Sequence, residues 1–161
     1  MSLLDVIFRR RSIRRYKSEP VPDEVLNNIL EAGRLAPSAD NAQPWHFIVI
    51  TDPTIKRELS KGRWRSFIEA SAFTIAGCGE KSDRWSKVDV AIALENMVLA
   101  AAAQGVGSCW IGAFEEEEAK ELLDVPENLK VVALVSFGYP AEKLSSPGKK
   151  SLREIVHYNK F

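Results

Sequence analysis

The residues best placed to do chemistry fall in three stretches. Arg9-Arg10-Arg11-Ser12-Ile13-Arg14-Arg15 puts five guanidinium groups within seven residues. Like charges that close repel one another unless an anion sits among them. Arg10, Arg11 and Arg14, with the Ser12 hydroxyl between them, could set planar forks and a donor on a phosphate, a group whose geometry arginine matches. Lys149 and Lys150 offer a second basic pair near the other end of the chain. The loop Pro37-Ser38-Ala39-Asp40-Asn41-Ala42-Gln43-Pro44-Trp45 supplies small residues for close approach and amides for the edge of a heterocycle. Its composition equally suits a plain helix-to-strand connector.

Other chemistries fit less well. Gly105-Val106-Gly107 starts like a dinucleotide fingerprint, but Trp110 stands where the third glycine belongs. It also follows a helix and precedes a strand, the reverse of the order that aims a helix at pyrophosphate. Gly148-Lys149-Lys150-Ser151 echoes a phosphate loop, yet Lys143 occupies the place of its first glycine. His46 and His157 are the only histidines, with no Gly-x-Ser-x-Gly and no metal-spaced partner. A Cys109–His46 nucleophile pair is conceivable in space, though a histidine at the head of a strand reads as structural. Cys78 and Cys109 have apolar flanks and no CxxC spacing, which reads as two buried free thiols. No metal site is expected.

Periodicity supplies the elements that must hold these stretches. Leu3, Leu4, Ile7 and Phe8 recur at helical spacing before the arginine cluster. Pro22 with Asp23 and Glu24 opens a second helix whose stripe is Val25, Leu26, Ile29 and Leu30, and Ala36-Pro37 ends it. Trp45–Ile50 reads as a buried strand, and Asp52-Pro53 caps a short helix to about residue 60. Phe73–Cys78 is a further strand, 87–104 a long buried helix stopped by Gly105, and Cys109–Phe114 a short strand. Glu115–Glu118 open a fifth helix with four carboxylates at its favourable end, and Val131–Phe137 is a strong strand. The mixture is α/β or α+β, in one domain spanning 1–161.

The chain has 161 residues, 22 Lys+Arg and 22 Asp+Glu, hence no net charge. That disfavours a nucleic-acid binder with a basic footprint over its whole surface. Its 45% hydrophobic content is ordinary globular usage. Charge is nonetheless uneven: residues 1–15 carry five Arg against one Asp, and 115–121 five Glu against one Lys. At 18.0 kDa a compact fold should expose about 8,000 Å². Neither a signal peptide nor an apolar run of membrane-spanning length is evident, so a cytoplasmic protein without membrane contact is expected.

Arg10-Arg11-Ser12-Ile13-Arg14, the loop from Ala36 through Pro37, Ser38, Ala39 and Asn41 to Phe47, and Gly105-Val106-Gly107-Ser108-Cys109-Trp110-Ile111-Gly112 resemble three signatures of the nitroreductase family. The ending Leu152-Arg153-Glu154-Ile155-Val156-His157-Tyr158 resembles that family's C-terminal stretch. The four stand in the family's order and cover the chain from about Ser2 to Phe161. The resemblance implies an α+β sandwich with a mostly antiparallel central sheet flanked by helices, in an intertwined homodimer with FMN at its interface. It implies that Arg10, Arg11, Ser12 and Arg14 contact the FMN phosphate, ribityl chain and pyrimidine edge, and that Pro37, Ser38, Ala39 and Asn41 line the flavin from the other subunit. The backbone at Ile111 and Gly112 would approach the reactive ring edge, and Lys149 with Lys150 would complete the phosphate site.

The implied activity is an FMN-dependent NAD(P)H oxidoreductase. NADH or NADPH and a small-molecule electron acceptor, a nitroaromatic or quinone, would use one pocket in turn, by ping-pong hydride transfer through the flavin. The flavin carries that chemistry, and no side chain is required as a catalytic nucleophile. The compact chain leaves little room for the helical excursions that shape larger members' substrate channels, and 61–85 matches the family poorly. Two other readings stand beside it. One is a flavin-binding protein of the same scaffold with a role in reductive dehalogenation, flavin breakdown or sensing. The other is a small RNA- or partner-binding module that uses the arginine cluster without a cofactor.

Overall fold

The computed structural model describes residues 2–62, 65–143, 145 and 148–161. Its centre is a four-stranded sheet in the order β1-β2-β4-β3, with β1 at Trp45–Ile50, β2 at Phe73–Glu80, β3 at Gly107–Ile111 and β4 at Leu129–Gly138. All three ladders are antiparallel, which resolves the class as α+β. The helices are α1 (Leu3–Arg9), α2 (Asp23–Arg34), α3 (Pro53–Ser60), α4 (Phe67–Ala70), α5 (Ser86–Ala103), α6 (Glu116–Leu122) and α7 (Leu152–Ile155).

Both faces of the sheet are covered, so β2 is buried almost throughout rather than alternating. Phe73 and Ile75 face α5 and α2, joining Val90, Leu94, Met97, Val98, Ala101 and Ile29 in one core. Ala76 and Cys78 face the other way, joining Leu59, Ile68, Ala119 and Leu134 from α3, α4, α6 and β4. Gly77 lets α5 lie close to the sheet, because a Cβ there would come within 2.7 Å of Leu94 Cδ1 and 2.9 Å of Val90 Cγ1.

Local signals set most boundaries. The Asp52 carboxylate accepts the N–H groups of Thr54 and Ile55 at 2.8 and 2.9 Å, as expected of an N-cap before a proline. Gly105, at φ +79°, ends the turn after α5. The strand expected over Cys109–Phe114 lies instead at Gly107–Ile111, because the register pairs Gly107 with Gly138 and Ile111 with Leu134. Helix α2 stops at Arg34, short of Ala36-Pro37. Among the described residues the apolar stripe of α1 is largely uncovered: Val6 is buried, while Leu3, Leu4, Ile7 and Phe8 are exposed. Total exposed surface is 10,150 Å², about a quarter more than a compact monomer of this mass shows.

Candidate active site

The arginine cluster continues past α1 as an extended strap over the β3–β4 end of the sheet. Ile13 donates its N–H to Ser108 O at 2.8 Å, Lys17 to Tyr139 O at 2.9 Å, and Ala141 to Arg15 O at 2.8 Å. Ile13 and Tyr16 are buried beneath the strap. The Tyr16 hydroxyl donates to Ile13 O at 2.7 Å and meets Ser136 Oγ at 2.8 Å, and burial drives its pKa far upward. With these residues inside, Arg10, Ser12 and Arg14 remain at least partly open to solvent.

Protein carboxylates meet part of the positive charge. Glu142 Oε1 accepts the backbone N–H groups of Arg14 and Arg15 at 2.8 and 3.1 Å. Glu95 Oε2 accepts Trp110 Nε1–H at 3.0 Å, and its other oxygen lies 3.9 Å from Arg10 Nε. Arg11 turns back on α1, where its Nη1 donates to Phe8 O and Arg10 O at 2.8 and 2.7 Å. Its Nε is buried and has no hydrogen-bond partner among the described residues. Among the described residues no carboxylate pairs with the Arg14 guanidinium.

Two cavities flank the strap. One, of about 440 Å³, is lined by Arg9, Arg10, Arg11, Gly107, Ser108 and Lys143 among others. The second, of about 450 Å³, is lined by Arg14, Ser66, Phe67, Trp110, Ile111, Gly112 and Ala113. Extended backbone rises about 3.3 Å per residue, so Arg10 and Arg14 stand about 13 Å apart along the strap. Ser66 and Phe67 line this second cavity without any signal in the sequence, since only the fold brings them beside Gly112.

The other candidates lie elsewhere. The 37–41 loop lines neither cavity. It docks on the first turns of α5, where Ala39 N–H faces both Asp89 carboxylate oxygens at 3.3 and 3.4 Å. The Ser38 hydroxyl is committed to its own loop, accepting Gln43 N–H at 2.9 Å. Lys149 and Lys150 are exposed just before α7. His46 and Cys109 fall on opposite edge strands, which excludes their pairing. Burial raises the Cys109 thiol pKa against the pull of Arg14 and Arg10, and holds Cys78 up at about 11. Neither thiol suits nucleophilic attack. Among the described residues no three metal-binding side chains converge, and no helix is long and apolar enough to cross a membrane.

A family model described as the nitroreductase family matches residues 7–72 and 60–139. A protein of Archaeoglobus fulgidus provisionally named NADH dehydrogenase/NAD(P)H nitroreductase is 38% identical over 151 residues, covering 87% of this chain and 86% of its own. An iodotyrosine deiodinase of Thermotoga neapolitana is 28% identical, covering 99% and 98%. The solved structure of an FMN-dependent nitroreductase from Clostridium difficile superposes with a TM-score of 0.90 at 31% identity, covering 98% of this chain and 99% of that one.

Proposed function

The chain belongs to the nitroreductase family, and from that premise we propose that it is an FMN-dependent NAD(P)H oxidoreductase acting on small acceptors such as nitroaromatics or quinones. One observation carries the reading: an extended strap bearing Arg10 and Arg14, with one cavity along Arg9–Ile13 and another beside Arg14. Arg10 and the orphaned Arg11 Nε suit the phosphate, and Ser12 suits the ribityl chain between them. Arg14, with the Ile111–Gly112 backbone opposite, suits the ring. When bound, FMN would supply the two-electron chemistry, taking hydride from NADH or NADPH and passing it to the acceptor.

The protein's part is electrostatic and steric. The unpaired Arg14 guanidinium offers positive charge where the reduced ring carries negative charge. Gly112 has open space where a Cβ would stand, so its backbone leaves room for a flat ring. Phe67 and Trp110 supply an apolar wall that would hold a planar acceptor and exclude water.

We further propose that two copies complete the site, with Pro37, Ser38, Ala39 and Asn41 lining the partner's flavin and Lys149 with Lys150 closing the phosphate end. The apolar face of α1, the α5 ridge Trp85, Val88 and Ile92, and the tail residues Leu152, Ile155, Val156 and Tyr158 are exposed in the single chain. The surface in excess of a compact monomer is roughly 2,000 Å² per chain, which fits the large apolar interfaces of obligate dimers. Residues 1–161 would then act as one FMN-binding unit. The two free thiols fit a reducing, cytoplasmic setting.

The deciding assay is oxidation of NADH or NADPH by the FMN-reconstituted protein with nitroaromatic and quinone acceptors. Turnover supports the proposal, and no turnover with any pair overturns it. The deiodinase relative favours one second reading, reductive dehalogenation on the same scaffold. It predicts bound FMN, slow or absent NAD(P)H oxidation, and release of halide from a halogenated phenol once an added two-electron reductant such as dithionite has reduced the flavin.

A further inference from the structure

We infer that Asp89 is a positioning residue that fixes the 37–43 loop in the shape the flavin site needs. The inference rests on the functional reading above and extends it to a residue outside both cavities. Asp89 is 3% exposed on α5. Helix α5 is itself pinned at this end: Ser86, one turn earlier, is fully buried with its Oγ 2.1 Å from where a Gly79 Cβ would stand. The carboxylate is therefore presented from a rigid base.

The loop it meets is strained. Asp40, Asn41 and Gln43 take φ values of 49°, 55° and 51°, a region side-chain-bearing residues rarely adopt. Such conformations persist only where the surroundings enforce them. The bonds from Gln43 N–H to Ser38 Oγ, from Asn41 N–H to Ser38 O and from Ala42 N–H to Ala39 O all lie inside the loop. Among the described residues its only hydrogen bond to another element is Ala39 N–H to Asp89, across 50 positions of sequence. At 3.3 and 3.4 Å the N–H is shared between the two oxygens of a buried carboxylate, a long contact whose weight comes from its being the loop's tie to α5. Asp89 thereby ties the segment that bears Asn41 to the sheet-packed helix.

A double-mutant cycle with FMN titration tests this. Asp89→Ala removes the acceptor. Ala39→Pro removes the donor at little backbone cost, because Ser38 is already extended at φ −142°, ψ 159° and residue 39 opens the helical turn. Each is expected to raise the FMN Kd about tenfold, and the double variant no further than either alone. Asp89→Asn, which keeps an acceptor oxygen, should stay within about threefold of the parent. In the flavin-free protein, amide exchange of residues 38–43 should accelerate in Asp89→Ala and not in Asp89→Asn. Additive losses in the double variant, or faster loop exchange with unchanged FMN affinity, overturn the inference. A parent chain that takes up no FMN overturns the functional reading and this inference with it.

Discussion

Ile13 occupies the space that Gly107 leaves empty. A Cβ on Gly107 would lie 2.6 Å from Ile13 Cγ1 and 2.9 Å from its Cβ. Ile13 is, with Tyr16, a buried residue of the strap, and its neighbours on either side are Ser12 and Arg14. The strap can approach β3 this closely at Ile13 because Gly107 carries no side chain, as Gly138 leaves room for Tyr16.

Gly107→Ala is therefore expected to act on stability and on binding together. Overpacking of this kind costs about 1–3 kcal/mol. The melting temperature should fall by several degrees while FMN affinity drops, as read by thermal unfolding and fluorescence titration. Unchanged affinity would separate the strap from the site.

Arg10 and Arg11 are adjacent but differently committed. Arg10→Ala should remove a charge-assisted bond to phosphate, worth about 1.5–3 kcal/mol, or roughly tenfold to 150-fold in FMN affinity. Arg11 already donates to Phe8 O and Arg10 O at the end of α1. Arg11→Ala should thus lower the melting temperature and weaken FMN less than Arg10→Ala does. Calorimetric titration of both variants gives the order, and an inverted order contradicts these roles.

The thiols should be silent in the native state. At about 11, Cys78 holds about a hundredfold less thiolate at pH 8 than a thiol of ordinary pKa near 9. Labelling by a thiol reagent should be slow in the native protein and rapid after denaturation. The folded thiol also keeps its proton longer than the unfolded one. Its contribution to stability is full below pH 9 and is lost as pH climbs from 9 toward 11. Denaturant midpoints across that range should decline less steeply in Cys78→Ala.

Much of this architecture is written locally in the sequence. Trp45–Ile50 and the Asp52-Pro53 cap stand where pattern and capping chemistry place them, because short-range signals decide both. The edges of β3 do not, since its ends are fixed by pairing with Gly138 and Leu134, which periodicity within 105–114 does not reveal. The site divides in the same way. Arg10, Arg14, Ile111 and Gly112 stand out by residue type and motif. Phe67, Glu95 and Asp89 belong to ordinary helix sequence and Ser66 to the turn before α4, and only packing carries them to the strap or the loop. The exposed side of α1 was equally invisible, because an amphipathic stripe does not say which surface it will cover.

The proposed pairing of two copies through that stripe is directly testable. Sedimentation should give about twice the 18.0 kDa chain mass. Ile92→Glu, placed on the exposed α5 ridge, should shift the protein toward monomer and lower FMN retention with it. A stable monomer that keeps FMN would contradict the shared site.

The visible absorption spectrum of the freshly purified protein, with identification of any chromophore released on denaturation, tests the central claim most directly. The proposed function predicts a yellow protein that releases FMN, or a colourless one that turns yellow with added FMN. A colourless protein that refuses FMN would contradict it and return the arginine strap to the binding of some other anion.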